Sequence, residues 1–228
     1  MQMNSAWLVA SVLLGVFFLE PAPAWQGTHP ATGRQIAPVM GMAGADWLAR
    51  PEREREEQPA KALQLIGLRK GMTVADIGAG VCYFSIRMAW QTGPRGKVYA
   101  TDIQPSMLEL LRENAKRNKV DNIETVLGSP TETGLSPNSI DLALLVDVYH
   151  EFSEPQKMLQ SIAAALKHDG RLVLLEYRKE DPSVPIREEH KMSIEQVRQE
   201  LAVEGFVMEK VLHDLPRQHI LIFRKKPS

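Results

Sequence analysis

The chain has 228 residues, 44% of them apolar and 24% charged, with 27 Lys and Arg against 28 Asp and Glu for a formal net charge of −1. That length can bury one substantial core and matches a single α/β domain, and the balanced charge without long like-charge runs excludes an electrostatic footprint for wrapping nucleic acid. The one cysteine, Cys82, excludes an internal disulfide and the paired-cysteine zinc patterns.

Along the chain, Ala6 to Leu19 forms a fourteen-residue apolar run followed by "EPAPAWQ". It is too short to span a bilayer comfortably, and with Ala22 and Ala24 it reads as the core and cleavage region of a secretory signal over residues 1–24. "MQMNS" supplies no Lys or Arg, so an uncleaved apolar anchor is the competing reading. A working signal implies an exported or periplasmic protein with no stable membrane span in the mature chain; otherwise the location is cytoplasmic. Residues 25–58 read as an N-terminal arm and lid. Trp25 to Met42 is punctuated by Gly and Pro and is expected to run extended over the surface, Asp46 is a candidate helix cap, and Arg50, Arg53 and Arg55 follow. An amphipathic helix from about Pro59 to Leu68 precedes the first strand.

From Gly71 onward, strand and helix patterns alternate. "TVADI" is a strand, "VCYFSIRMAW" a helix with Met88 and Trp90 packed on the sheet, "KVYATDI" a strand, and "PSMLELLRENAKRN" a helix opening on proline. The strands "NIETVLG" and "SIDLALLVDV" come next, then the helix "EPQKMLQSIAAALKHDG" with Gly170 as its stop, and the strand "RLVLLEY". Ser193 caps the helix "SIEQVRQELAVEGF". The strands "VMEKVLHDL" and "QHILIFRK" close the chain as an antiparallel hairpin at a sheet edge. Such repeated units make a parallel sheet with helices on both faces, and ligands bind at the carboxyl ends of its strands.

The turn after the first strand reads Asp76-x-Gly78-x-Gly80-x-Cys82. A dinucleotide would set a pyrophosphate at the helix start and ask for G-x-G-x-x-G, which "GAGVCY" does not complete. Asp76 at the strand end repels phosphate and attracts a cation, as S-adenosylmethionine offers with its ammonium and sulfonium groups. Gly78 and Gly80 allow close backbone approach. Asp102, ending the second strand, can accept from both ribose hydroxyls, and Ile103 beside it can pack on an adenine face. An NAD(P)-linked oxidoreductase and a non-catalytic S-adenosylmethionine-binding module are the alternative readings.

From about Pro59 to Lys225 the chain resembles the class I S-adenosylmethionine-dependent methyltransferases, through "VADIGAGVCYF", "VYATDI", "LALLVDVYHEF" and the segment leading into "GRLVLLEY". The resemblance implies a Rossmann-like three-layer α/β/α sandwich over residues 59–228, with a seven-stranded sheet of order 3-2-1-4-5-7-6 and strand seven antiparallel. It implies S-adenosyl-L-methionine as cofactor, with the Gly78–Gly80 loop on its methionine part, Asp102 on its ribose and Asp147 near the transferred methyl. Cys82 stands for the usual third glycine as a small-residue substitute beside the cofactor, and Ser129 stands where an aspartate often meets the adenine amine.

Methyl transfer needs a positioned nucleophile and, where it is protonated, a proton acceptor. "DVYHEF" supplies Asp147, Tyr149, His150 and Glu151 at the ligand edge of the sheet, with His150 read as a base or substrate-orienting group, or else as a histidine bonded to backbone. Glu176, Tyr177, Arg178 and His190 in the long connection after the fifth strand are further candidates for contact with a small-molecule acceptor, against a solvated loop as the plain reading. Trp47 is a candidate shield for the pocket, and Arg50 or Arg53 a candidate partner for a carboxylate of cofactor or substrate. His213 and His219 read as structural. No local His, Asp and Glu spacing resembles a zinc site, so no metal is expected.

Overall fold

The computed structural model describes residues 27–227, so the signal reading of residues 1–24 lies outside the described part. Among the described residues no helix is long and apolar enough to cross a membrane. The main strands are β1 (Thr73–Ile77), β2 (Lys97–Asp102), β3 (Ile123–Leu127), β4 (Ile140–Val146), β5 (Leu166–Arg178), β6 (Lys191–Met192), β7 (Phe206–Leu212) and β8 (Gln218–Lys225). They form one sheet of order β3-β2-β1-β4-β5-β8-β7, with the two-residue β6 pairing only to β5. Removing β6 from the numbering recovers the expected order, and β8 runs antiparallel to both neighbours.

Alternation along the parallel strands decides which helices cover which face. Val74, Leu142, Leu144, Val173 and Leu175 point to one side, where they pack with Leu63 and Ala62 of α3 (Pro59–Leu65) and Phe84 and Met88 of α4 (Tyr83–Thr92). Ala75, Ile77, Ala143, Leu145, Leu172 and Leu174 point to the other, against Ile162 of α6 (Pro155–Ala165) and Val197 of α7 (Ile194–Ala202). Helix α5 (Pro105–Arg117) buries Leu108 and Leu111 beside Ala100. Each such leucine contributes about 1.5–3 kcal/mol by leaving water.

Three expectations are corrected. Helix α6 stops at Ala165, because Leu166 turns extended and pairs with Ile140 before the strand bulges and resumes at Leu142 opposite Arg171. Gly170 therefore serves that bulge, where a Cβ would lie 3.0 Å from the Lys167 carbonyl, and does not cap a helix. Met88 packs inside as expected, but Trp90 is 57% exposed on the outer face of α4. Asp46 lies within the first turn of α1 (Ala45–Ala49), and Gly44 holds the cap position. Ser193 does cap α7, in a reciprocal box with Gln196.

The N-terminal arm is anchored more deeply than a surface strap. Ile36, Ala37 and His29 are buried, and the Ala37 N–H donates to the His150 carbonyl. Arg34 donates through Nε and Nη2 to the two oxygens of Glu200, on α7, which also accepts from Thr32 Oγ1 at 2.6 Å. Both charged side chains are almost wholly buried. Glu200→Ala would leave the Arg34 guanidinium buried without its carboxylate, so an unfolding free energy lower by about 3 kcal/mol is expected from urea titration. A change under about 0.5 kcal/mol would show that the arm is held by its apolar residues alone.

Candidate functional site

The carboxyl ends of β1, β2, β4 and β5 open on a cavity of about 600 Å³, whose lining includes Gly78, Gly80, Asp102, Ile103, Asp147 and His150. The loop after β1 is built for close approach. Gly78 has φ +73°, and a Cβ there would stand 2.4 Å from a Val148 methyl; Gly80 has φ +51°. The Gly80 N–H donates to Asp102 Oδ2 at 3.0 Å, while Asp102 Oδ1 accepts from the Gln104 N–H at 2.9 Å. Each Asp102 oxygen so keeps a lone pair that a ligand hydroxyl can address.

Asp147 follows β4 in the left-handed region at φ +51°. Its Oδ2 accepts from Gln218 Nε2 at 2.7 Å, whereas its buried Oδ1 has no partner. Burial, reinforced by the Glu57 and Glu176 carboxylates, pushes its pKa well above the usual carboxylate range. Asp147 itself lines the cavity, and an orphaned acceptor on such a residue suits a ligand that brings a donor or a positive charge.

Tyr149–Glu151 forms one turn of 3-10 helix that turns His150 inward. His150 Nδ1 lies 2.7 Å from Glu176 Oε2 and its Nε2 lies 3.0 Å from His190 Nδ1, while the Tyr149 N–H donates to Glu176 Oε1. Burial pushes His150 down to about 4, and burial with the His150 neighbour takes His190 to about 4 as well. Burial pushes Glu151 up to about 7. Glu151 and His190 also line the cavity, so chain segments 40 residues apart meet there. The spacing gave no sign of this cluster, since the His190 partner lies beyond any local motif.

Other candidates fall elsewhere. Asp76 is 2% exposed and is not among the lining residues. It lies on the same face of β1 as Val74, under α4, and accepts from Ser85 Oγ at 2.5 Å. Ser129 is also absent from the lining, because its Oγ accepts from the Thr131 and Glu132 N–H groups within its own turn; Gly128 and Pro130 beside it do line the cavity. Cys82 has φ +75°, the backbone conformation a glycine would favour, and its side chain is buried with Ala79, Ile86 and Leu111 behind the loop, outside the cavity lining. Burial and the Asp76 charge push its thiol up to about 12, which removes it as a thiolate nucleophile.

The arm supplies part of the cavity wall through Met40, Trp47, Leu48, Arg50 and Arg53. Arg50 stacks 3.6 Å over Trp47 and bonds Glu56 and Glu57, and Arg53 Nε donates to Glu57 Oε2 at 2.6 Å. Tyr177 donates its hydroxyl to the same Glu57 at 2.9 Å. The Arg50 and Arg53 guanidinium groups are thus matched within the chain. Glu57 escapes sequence reading because Arg53 and Glu57 look like an ordinary helix-surface pair. Arg178 turns away from the cavity to the Leu215 and Pro216 carbonyls.

Residues 68–216 match the family described as "Methyltransferase domain". The chain is 27% identical over 125 residues to the demethylmenaquinone methyltransferase of Listeria welshimeri, covering 55% of this chain and 52% of that one. It is 31% identical over 114 residues to the ubiquinone/menaquinone biosynthesis C-methyltransferase UbiE of Salmonella arizonae, covering 50% and 45%. The matches therefore span about half the length of these curated relatives. A solved structure of a SAM-dependent methyltransferase from Aquifex aeolicus superposes with a TM-score of 0.76 at 25% identity, covering 81% of this chain and 98% of that one.

Asp76 offers a direct check on the geometry behind the loop. Burial raises its carboxyl to about 6, with the Ser85 hydroxyl and Arg53 opposing the shift. A carboxyl whose folded pKa exceeds its unfolded value stabilises the fold below the unfolded value, and that contribution is lost as pH rises through the folded value. Asp76→Asn keeps the Ser85 bond and removes the titration. Relative to the parent it is expected to gain stability between about pH 4 and pH 7, by at most ~3 kcal/mol. Parallel stability curves for the two proteins would place the carboxylate in contact with solvent.

Proposed function

The chain belongs to the class I S-adenosylmethionine-dependent methyltransferases, and from that premise we propose that it transfers the methyl group of S-adenosylmethionine to a small-molecule acceptor bound in the same cavity. The observation that carries this reading is the Asp102 carboxylate, held in the cavity wall by the Gly80 and Gln104 N–H groups with a lone pair left on each oxygen. That arrangement fits the two ribose hydroxyls. Ile103, on the same wall, would cover an adenine face. Gly78 and Gly80 leave room for the methionine part, and the unpartnered Asp147 Oδ1 is the acceptor its positive charge would meet.

When bound, S-adenosylmethionine supplies an electrophilic methyl carbon whose bond to sulfur breaks as the acceptor's lone pair attacks. The chain's own contribution is positioning and exclusion of water. Arm residues 27–58 would act as the lid, since Trp47 and Leu48 close one wall. His150, Glu151 and His190 would hold the acceptor and take up its proton where it carries one. The names of the curated relatives support a quinone-related ring as the first acceptor class to try.

Calorimetric titration of the full chain with S-adenosylmethionine is expected to show one site, and Asp102→Ala should weaken it by about 10–100-fold through loss of charge-assisted hydrogen bonds. Absence of binding by the parent chain, or unchanged affinity in the variant, would sink the assignment. With reduced quinones as acceptors, His150→Ala is expected to lower kcat by about 10²-fold while cofactor affinity stays within a factor of three. Equal losses in both would move His150 to a structural role.

A further inference from the structure

We propose that His150, Glu151 and His190 form a site for one divalent transition-metal ion in the cavity wall. Their donor atoms all lie within 4.8 Å of one another, and all three residues line the cavity. Two imidazoles and one carboxylate make the donor set of a facial triad, which leaves coordination positions open on the side away from the protein ligands.

The distances are compatible with a shared ion. His150 Nε2 and His190 Nδ1 are 3.0 Å apart. Two nitrogens each about 2.1 Å from a shared ion are about 3.0 Å apart when they subtend a right angle, and about 3.4 Å apart at the tetrahedral angle. The present 3.0 Å is the length of the hydrogen bond that joins the rings, and it lies close enough to both values that small ring rotations would let the two nitrogens face one ion such as Mn²⁺, Fe²⁺, Co²⁺ or Zn²⁺. Glu151 Oε1 stands 3.9 Å from His150 Nε2, so a rotation of that carboxylate brings it into the third position.

The surroundings prepare the first ligand. Glu176 Oε2 lies 2.7 Å from His150 Nδ1, and the Tyr149 N–H fixes the other Glu176 oxygen. A carboxylate on the far nitrogen holds the proton there, orients the ring and leaves the Nε2 lone pair to the metal. In the metal-free chain a single hydrogen bond joins the two imidazoles; a cation would take its place as His190 moves its proton from Nδ1 to Nε2. Glu151 and Glu176 supply two carboxylates against a double positive charge.

All three residues line the cavity assigned to the acceptor, so the ion would bind an acceptor oxygen and lower its proton affinity; with the three side chains acting as ligands, the proton would pass to solvent and the oxyanion would be aimed at the methyl group. This last step rests on the methyltransferase reading, whereas the site itself does not. It narrows the acceptor to molecules that present a hydroxyl or paired oxygens.

The test uses the full chain without an affinity tag, stripped with a chelator and titrated with Co²⁺ while the visible d–d absorption is followed. One saturable equivalent is expected. His190→Ala and Glu151→Gln should each abolish that equivalent or weaken it at least tenfold, and Glu176→Gln should weaken it by about 10–100-fold, as a group acting through His150. Circular dichroism identifies any variant that fails to fold, and Glu151→Gln, which keeps an acceptor for the Met40 N–H, stands in for it. No saturable binding by the parent chain, or equal affinity in folded His190→Ala and Glu151→Gln, overturns the site. Calorimetry with S-adenosylmethionine on the same samples separates the two readings: cobalt binding without cofactor binding overturns the function, and the reverse overturns the metal site.

Discussion

A parallel sheet covered by helices on both faces can accommodate charged side chains only where its strands end, because within the layers each would lose its hydration without a partner. In this chain four carboxylates stand at the carboxyl ends of four neighbouring strands: Asp102 on β2, Asp76 on β1, Asp147 after β4 and Glu176 on β5. Each has its own hydrogen-bond partner. Asp102 takes the Gly80 and Gln104 N–H groups, Asp76 the Ser85 hydroxyl, Asp147 the Gln218 amide and Glu176 the Tyr149 N–H.

Such crowding has an electrostatic consequence that the N-terminal arm offsets. Burial pushes all four carboxyls upward, and Arg53 opposes the shift at Asp76 and Asp147 while Arg34 does so at Glu176. Both arginines come from the arm, which also carries Trp47 and Leu48 over the cavity. The arm thus closes the site and supplies positive charge to an acidic rim. Arg34, anchored on Glu200, also donates to the His150 carbonyl while Glu176 of the sheet accepts from the Tyr149 N–H, so the segment carrying His150 is held by both arm and sheet.

Unequal satisfaction of these carboxylates divides their roles. Asp76 is bonded to Ser85 under α4, behind the loop and off the cavity lining, whereas Asp102 and Asp147 line the cavity and Asp147 keeps a buried oxygen without a partner. Glu176 meets one nitrogen of His150, whose other nitrogen meets His190. One rim therefore carries two cavity-lining aspartates and, beside them, a cluster of nitrogen and carboxylate donors.

What the sequence determined by itself follows from short-range physics. Hydrophobic alternation set the strands and the two buried faces, the glycine spacing marked the turn that must adopt positive φ, and the Ser193–Gln196 box closed one helix in its own local frame. That Asp102, Asp147, Gly78 and Gly80 would lie at the mouth of the sheet was readable, because in this architecture ligands bind at the carboxyl ends of the strands. Only the tertiary structure decided the rest. Which way Asp76 points depends on the parity of β1 and on Ser85 above it; Leu166 leaves its helix because Ile140 waits to pair with it; Ser129 spends its hydroxyl on its own turn. The meeting of His150 with Glu176 and His190 joins residues 26 and 40 positions apart, and no periodicity along a chain encodes a contact that exists only after the strands have lined up.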